Sequence, residues 1–440
     1  MLAIGASGVR AYQNALNTTS ENIANVGNAG YSRRTTTLTD VTATGGLTSN
    51  VIAGGMGVLA SGIGRSADRY LSGEVRATGA DLAKTQASLS WLDRIDGALS
   101  GSQLGSRITG FFTAAVTLSA DPSSLAPRSA MLEAASGTAT AFTATGAALD
   151  RVAADADAGA NDAVATLNGL TAALAKLNDK LARAVPDTAG AAALADQRDQ
   201  LLEQMSALTD MGVTLDSQGR ATVTGGGATL VDGSSFATVS YARNVDGSAA
   251  FVATTGAEQR LVSPTGGALA GIADGVQRVA DARGAIEQLA QNFVNGVNAV
   301  QAQGRDLDNM AGAALFARGQ GTAAVSLALE DPRGIAAAKV GGGNRDNGNL
   351  ANLATLRTGG FETRAADLTA ANGAALAQRR AVAEAQTTIR DNAVAARDQV
   401  SGVNLDDEAV DLVRFQQAYS ASSRVIQVAR DTLQTILDIR

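Results

Sequence analysis

The sequence predicts a mainly α protein with a small β domain: nested and elongated, with paired N- and C-terminal coiled-coil-like helices, a helical bundle middle domain, and an inserted β meander outermost. Three observations predict it. Seven-residue apolar spacing marks both ends of the chain, an alanine-rich helical pattern fills most of the interior, and one stretch, 213–263, switches to period two with Gly-rich turns. At ~150 residues per domain, 440 residues correspond to about three domains. Hydrophobic residues reach 45% but aromatics only 3%, and roughly a fifth of the chain is alanine, which favours long, thin, closely packed helices over a bulky aromatic core.

At the N-terminal end Leu2, Val9, Leu16 and Ile23 recur every seven residues, a narrow apolar seam. The following Asn22, Asn25, Gly27 and Gly30 terminate that helix through left-handed backbone geometry. Residues 35–66 read as extended, from Thr35 to Thr39 and then through Gly45-Gly46 and Gly54-Gly55-Met56-Gly57-Val58. From Ala67 to Leu208 the pattern is helical, with breaks at Asp121-Pro122, near Pro127 and at Pro186-Asp187, and a long amphipathic helix over Ala163–Ala184. Short strands are expected at 221–224, 228–231, 236–242 and 250–254. Helix returns from Gly267 to Gln303, gives way to Gly-rich loop until about Gly360, and resumes over 363–400.

A second seam closes the chain. Leu412, Tyr419, Ile426 and Leu433 repeat every seven residues, with Phe415, Ser422, Ala429 and Ile436 three positions after them. Asn404 caps this helix, and Asp406, Asp407 and Glu408 sit at the positive end of its dipole, so it runs from Leu405 almost to Arg440. One seam alone is ordinary packing; two at opposite ends can pair with each other and offer further surface to neighbouring copies. The domains read as 1–66 with 364–440 (terminal helices and linker), 67–210 with 266–363 (helical middle) and 211–265 (outer β).

Composition narrows the chemistry. Without Cys or His there is no thiolate or imidazole for zinc, haem or nucleophilic triads, and a net charge of −7 gives no footprint for nucleic acid. The N-terminus lacks a basic, then apolar, secretory signal, and no run of ~18 apolar residues spans a membrane. Asp196, Asp199 and Glu203 read as a solvated helix face, and Asp406-Asp407-Glu408 as a helix start, rather than an acid–base pair. Asp306-Leu307-Asp308 lacks the Gly and Glu of a calcium loop, and Gly55-x-Gly57-x-x-Ala60 lacks the helix of a dinucleotide site. No catalytic, cofactor or metal site is expected.

The run Ala15-Leu16-Asn17-Thr18-Thr19-Ser20-Glu21-Asn22-Ile23-Ala24-Asn25, followed by Gly30-Tyr31-Ser32-Arg33, resembles the N-terminal motif of the bacterial flagellar rod, hook and hook-associated proteins. Its Tyr-Ser-Arg ending is similar to the first hook-filament junction proteins of that family. The segment Ser401-Gly402-Val403-Asn404-Leu405-Asp406-Asp407-Glu408, continuing through Leu412, Phe415 and Tyr419 to Ile426, is similar to the family's C-terminal end, with Phe415 where Tyr is common. Phe111-Phe112 with Asp121-Pro122 and Arg128, Asp196-Gln197-Arg198-Asp199-Gln200-Leu201, and Gly304 to Phe316 match in order between them.

The resemblance implies a structural subunit, exported unfolded by the flagellar type III apparatus and assembled at the hook-filament junction. Its terminal helices would pair as an inner tube and be disordered in the monomer. Implied partners are other copies, the hook protein, the second junction protein and an export chaperone on the C-terminal helix; implied locations are the cytoplasm before export and the extracellular flagellum after it. The implied assembly residues are Leu2, Val9, Leu16, Asn22, Ile23, Asn25, Gly30, Tyr31, Ser32 and Arg33 at one end, and Asn404, Leu405, Leu412, Phe415, Tyr419, Ile426, Leu433 and Ile436 at the other. Flagellin or the second junction protein is the near alternative, and a secreted carboxylate-dependent hydrolase the distant one.

Overall fold

The computed structural model describes residues 1–41 and 55–438; the Gly45-Gly46 turn lies outside them. Helix α1 (Leu2–Ala24) leads into an antiparallel hairpin, β1 (Arg34–Asp40) and β2 (Val58–Arg65), whose register shifts by one residue after Thr37. Four helices follow: α2 (Arg69–Ser100), α3 (Leu104–Ala120), α4 (Leu125–Arg183) and α5 (Ala189–Leu208). Asp68 caps α2 by accepting from the Tyr70 and Leu71 amides, and Thr188 caps α5 through Ala191. The break expected near Pro127 is absent. Pro127 falls in the first turn of α4, where an amide has no intrahelical partner to lose. The helix expected over 163–184 is therefore the last third of a 59-residue one.

The β region is two small antiparallel sheets rather than one meander. β3 (Gly212–Leu215), β4 (Ala221–Gly225), β5 (Ala228–Asp232) and β6 (Ser235–Phe236) form the first, and β7 (Thr238–Arg243), β8 (Ala249–Thr255) and β9 (Glu258–Val262) the second. Their inward residues, among them Val223, Leu230, Val231, Phe251 and Val262, share one buried cluster with Val164, Leu167 and Leu174 of α4 and Leu202 and Met205 of α5. The β unit thus rests its core on helices α4 and α5 and on Leu269, at the start of the helix that follows it, and does not close on itself.

After α6 (Gly267–Gln303), the stretch expected as Gly-rich loop holds a hairpin, β10 (Phe316–Arg318) and β11 (Val325–Leu327), a 3-10 turn at Pro332–Gly334 and a short helix α7 (Leu350–Arg357). Helices α8 (Phe361–Ser401) and α9 (Leu405–Asp438) complete the chain. Because α8 is continuous from Phe361, a boundary at 363/364 cuts its first turn. α8 lies along α2, with Asn372 Nδ2 donating to Leu92 O at 3.0 Å.

The second cluster fills the helical body, and here composition misled. The few aromatics are gathered: Phe111, Phe112, Phe142, Phe293, Phe316 and Phe361 interlock with centroids 5.3–6.4 Å apart. Arg128, 1% exposed, closes one end of this core and donates to the carbonyls of Pro122, Pro332, Arg333 and Ile335. Elsewhere small residues set the spacing. A Cβ on Gly275 of α6 would fall within the Trp91 ring of α2, so the two helices meet there at glycine distance.

Candidate assembly interface

The two ends of the chain pack against each other as an antiparallel helix pair. Gly5 faces Ile426, Gly8 faces Ser422, Tyr12 lies 6.5 Å from Phe415 between ring centroids, and Asn22 meets Glu408. A Cβ on Gly5 would sit 2.7 Å from Ile426 Cγ1, and one on Gly8 2.6 Å from Ser422 Oγ. The stripe that α1 buries is accordingly small and polar: Gly5, Gly8, Ala11, Ala15, Thr18, Thr19 and Asn22. The large residues of the expected N-terminal seam are not in it. Val9, Leu16 and Ile23 flank the stripe half-buried, and Leu2 is exposed. A heptad of large residues is the visible signal in sequence, but close helix contact selects the small residues between them.

On the C-terminal helix, Leu412, Phe415, Tyr419 and Ile426 are half-buried, and Leu405 is exposed at the first turn. Asn404 accepts from the Asp406 amide at 3.0 Å, the expected cap. At 100° per residue Leu433, Ile436 and Leu437 continue the face that meets α1. Since Gly5 is level with Ile426, they lie beyond the start of α1, and all three are at least half exposed.

The other end of the pair, its foot, is held by a buried polar network centred on Asn22. This side chain, 1% exposed, uses every hydrogen-bonding site. Its Nδ2 donates to Arg34 O (2.8 Å) and Glu408 Oε2 (3.0 Å), and its Oδ1 accepts from Arg34 N (3.0 Å) and the Tyr31 hydroxyl (2.8 Å). Burial pushes the Tyr31 phenol up to about 12, so it stays a donor. Arg33 bonds Glu408 through Nε at 2.6 Å and Asp411 through Nη2 at 3.2 Å. Burial disfavours its charge, but the Glu408 carboxylate outweighs that and holds its pKa above the usual arginine value. Asn25 caps the end of α1 by donating to Glu21 O, and Gly30, at φ +89°, turns the chain into the hairpin against Gln200.

A further ring of charges surrounds the foot. Arg34 pairs with Glu21 (3.1 Å) and Asp196 (3.3 Å); Arg65 pairs with Asp196 (2.9 Å) and Asp199 (2.7 Å) and donates to Ser32 Oγ. One expectation is corrected here. Asp196, read as solvated surface, is 7% exposed, and Asp199 and Glu203 are part-buried in ion pairs with Arg65 and Arg397. Glu408 stands in the first turn of α9 as expected, and it is 1% exposed because Asn22 and Arg33 enclose it. Arg34 and Arg65 were missed altogether; their only signal in sequence was cationic side chains inside an extended Thr/Gly stretch. The Asp306 and Gly57 motifs are turns, with Asp306 Oδ1 accepting from Asp308 N and Met310 N, and Gly57 at φ +105° before a strand. Among the described residues no acidic cluster could hold a metal ion, and no helix is long and apolar enough to cross a membrane.

The family model described as flagellar hook-associated protein FlgK helical domain matches residues 89–316, just over half of the chain. The chain belongs to the FlgK hook-associated family. A second family model, the C-terminal segment of flagellar basal body rod FlgEFG proteins, matches residues 397–439, the end of α8 and all of α9. Among curated relatives, flagellar hook-associated protein 1 of Escherichia coli is 27% identical over 71% of this chain, and that of Bacillus subtilis 26% identical over 97%. The match spans 59% of the E. coli relative's length and 96% of the B. subtilis one's. A solved structure titled as the flagellar hook junction protein FlgK from Burkholderia pseudomallei shares the fold over 56% of this chain and 47% of that one, with a TM-score of 0.51 at 23% identity. Family membership makes the chain a flagellar structural protein and not an enzyme.

Proposed function

We propose that this FlgK-family chain is a subunit of the hook-filament junction, reaches it through the flagellar type III apparatus, and assembles there through α1 and α9. The observation that carries the reading is that the helix-pair face continues through Leu433, Ile436 and Leu437, each at least half exposed among the described residues. A pair joined through glycine and alanine buries little apolar area, so its outer half gains stability when further copies cover that face. The foot residues Asn22, Tyr31, Arg33 and Glu408 fix where the pair starts, and Leu412, Phe415, Tyr419 and Ile426 set its register. The other partners follow from the same reading: hook protein on one side, the second junction protein on the other, and an export chaperone that takes the amphipathic α9 before assembly.

The test is a chain truncated before Asp407, expressed in a strain lacking its own junction protein. Filaments should fail to attach, with hooks of normal length. Normal motility from the truncated chain refutes the reading. Hydrogen exchange on the purified chain should show residues 1–16 and 412–438 exchanging far faster than the Phe-rich body; equal protection would mean a self-contained fold with no need of neighbours.

A further inference from the structure

The sequence motif Asp196-Gln197-Arg198-Asp199-Gln200 has no part in the helix pair or in either apolar core, yet all its charged and amide groups but Gln197 are engaged. Gln200 Nε2 donates to Ala29 O (3.1 Å), Arg198 Nη1 donates to Gly219 O in the turn before β4 (2.7 Å), and Asp196 and Asp199 hold Arg34 and Arg65 of the hairpin. One helix turn further, Glu203 pairs with Arg397 of α8. Among the described residues, neither hydrophobic cluster contains a residue of α1, β1, β2 or α9. The helix pair therefore meets the body across a polar joint: the α5 ion pairs, Ile63 N donating to Asp187 O at 2.8 Å, Arg33 N donating to Ser401 O at 2.8 Å, and the three-residue link Gly402-Val403-Asn404.

The joint is also incompletely satisfied. Arg34 Nε, Arg65 Nε and Asp196 Oδ1 are buried without a hydrogen bond of good geometry, even though Arg65 Nε and Asp196 Oδ1 are 2.9 Å apart. Buried charges left partly unpaired stabilise the docked state weakly while forbidding other arrangements, since a shifted hairpin would strand Asp196 without a cation. With the hairpin lifted away, α5 would present Asp196, Asp199 and Glu203 to water, and salt would then oppose re-docking.

We propose that the acidic face of α5 is a docking surface whose occupant is the chain's own residues 29–41 and 55–65, and that this ionic latch is required to fix the direction of the helix pair relative to the body. The latch is a property of the single chain, so it stands or falls independently of the junction reading.

The chain has no cysteine, so two introduced ones carry the only spin labels. One replaces Ser20 at the foot of α1 and the other Lys176 on α4, both exposed; Asp81 with Lys176 serves as a control pair inside the body. The full chain should give one narrow Ser20–Lys176 distance distribution. Arg34→Met with Arg65→Met, which leaves Asp196 buried without a cation, should broaden it severalfold, with the control pair unchanged. Adding Asp196→Leu removes the stranded charge but supplies no latch, so the distribution should stay broad. A narrow distribution in the Met double variant overturns the proposal, as does a broad one in the unmodified chain. If the double variant fails to fold its body, the triple variant decides: a folded body with a narrow distribution overturns the latch, and a broad one sustains it.

Discussion

Asn22 offers the sharpest test of how the foot of the helix pair is held. Asn22→Ala removes four hydrogen bonds and leaves the Arg34 amide and carbonyl, the Tyr31 hydroxyl and the Glu408 carboxylate short of a partner, in a site where Asn22 and Glu408 are each 1% exposed. Each stranded group costs about 1–3 kcal/mol, and relaxation with entry of water reduces the sum, so a loss of about 3 kcal/mol is expected. Asn22→Asp has the same shape and keeps both acceptor interactions, yet it should cost more. The atom that donated to Arg34 O and Glu408 Oε2 becomes a carboxylate oxygen facing a carbonyl and a second carboxylate, a like-charge contact at 3.0 Å. The sign with pH follows: the new acid's folded-state pKa is raised, so the penalty is present at neutral pH and shrinks as pH falls and the pair takes up a proton. Hydrogen exchange at residues 15–24 and 405–415 reads the local opening, where 3 kcal/mol is roughly a hundredfold. The Phe-rich body should exchange as before. An Asp variant as protected as the native chain, or one better tolerated than Ala at neutral pH, would refute this assignment of donors.

Three further outcomes follow from particular contacts. Gly275→Ala, although it favours helix by up to about 1 kcal/mol, should destabilise the body by about 1–3 kcal/mol because its Cβ collides with Trp91, whereas Gly169→Ala on α4, with nothing within 4 Å, should be neutral or stabilising; thermal unfolding compares them. Arg128→Met should cost about 3 kcal/mol in chemical denaturation, since it strands four carbonyls, and Arg128→Lys should recover only part, its ammonium being unable to span them in one plane. Tyr31, raised by burial to about 12 from an ordinary 10, stabilises the foot fully below pH 10, and that contribution should fade as pH rises from about 10 to 12; the foot's exchange protection should fall over that window, and Tyr31→Phe should abolish the Tyr31 part of the dependence.

What could be read in the sequence was whatever is local. The C-terminal seven-residue repeat, the Asn404 cap, the Pro186 break and the turn-bounded strands each depend on neighbours a few positions away, and they lie close to where expected, whereas the N-terminal repeat only flanks the buried stripe. Pro127 misled because the same residue breaks a helix in its interior and starts one at its first turn, a distinction set by where Ser124 leaves the preceding loop. The foot was illegible in its energetics for a different reason. Glu408 is 386 residues from Asn22 and Asp196 is 162 from Arg34, and nothing local separates a carboxylate on a wet helix face from one that a distant arginine encloses. Composition misled about the aromatics, because a low average conceals six Phe gathered at one point.

The division of labour between the two ends of the helix pair follows from the residue types at each. Where Gly5 and Gly8 let α9 approach, the contact is close but small in area, and Leu433, Ile436 and Leu437 further along that face are at least half exposed among the described residues. Apolar contact is non-directional, so this end accepts whatever supplies area and gains in proportion to it. At the foot, Asn22, Arg33 and Glu408 bond in one geometry and lose heavily in any other, which yields direction with little net stability. On the reading proposed above, a rod with a specified root and an unspecified tip would have its angle set by its own chain and its stability set by its surroundings. Exchanging the two kinds of contact would reverse this: a polar tip would dissolve without neighbours, and an apolar foot would leave the rod free to swing.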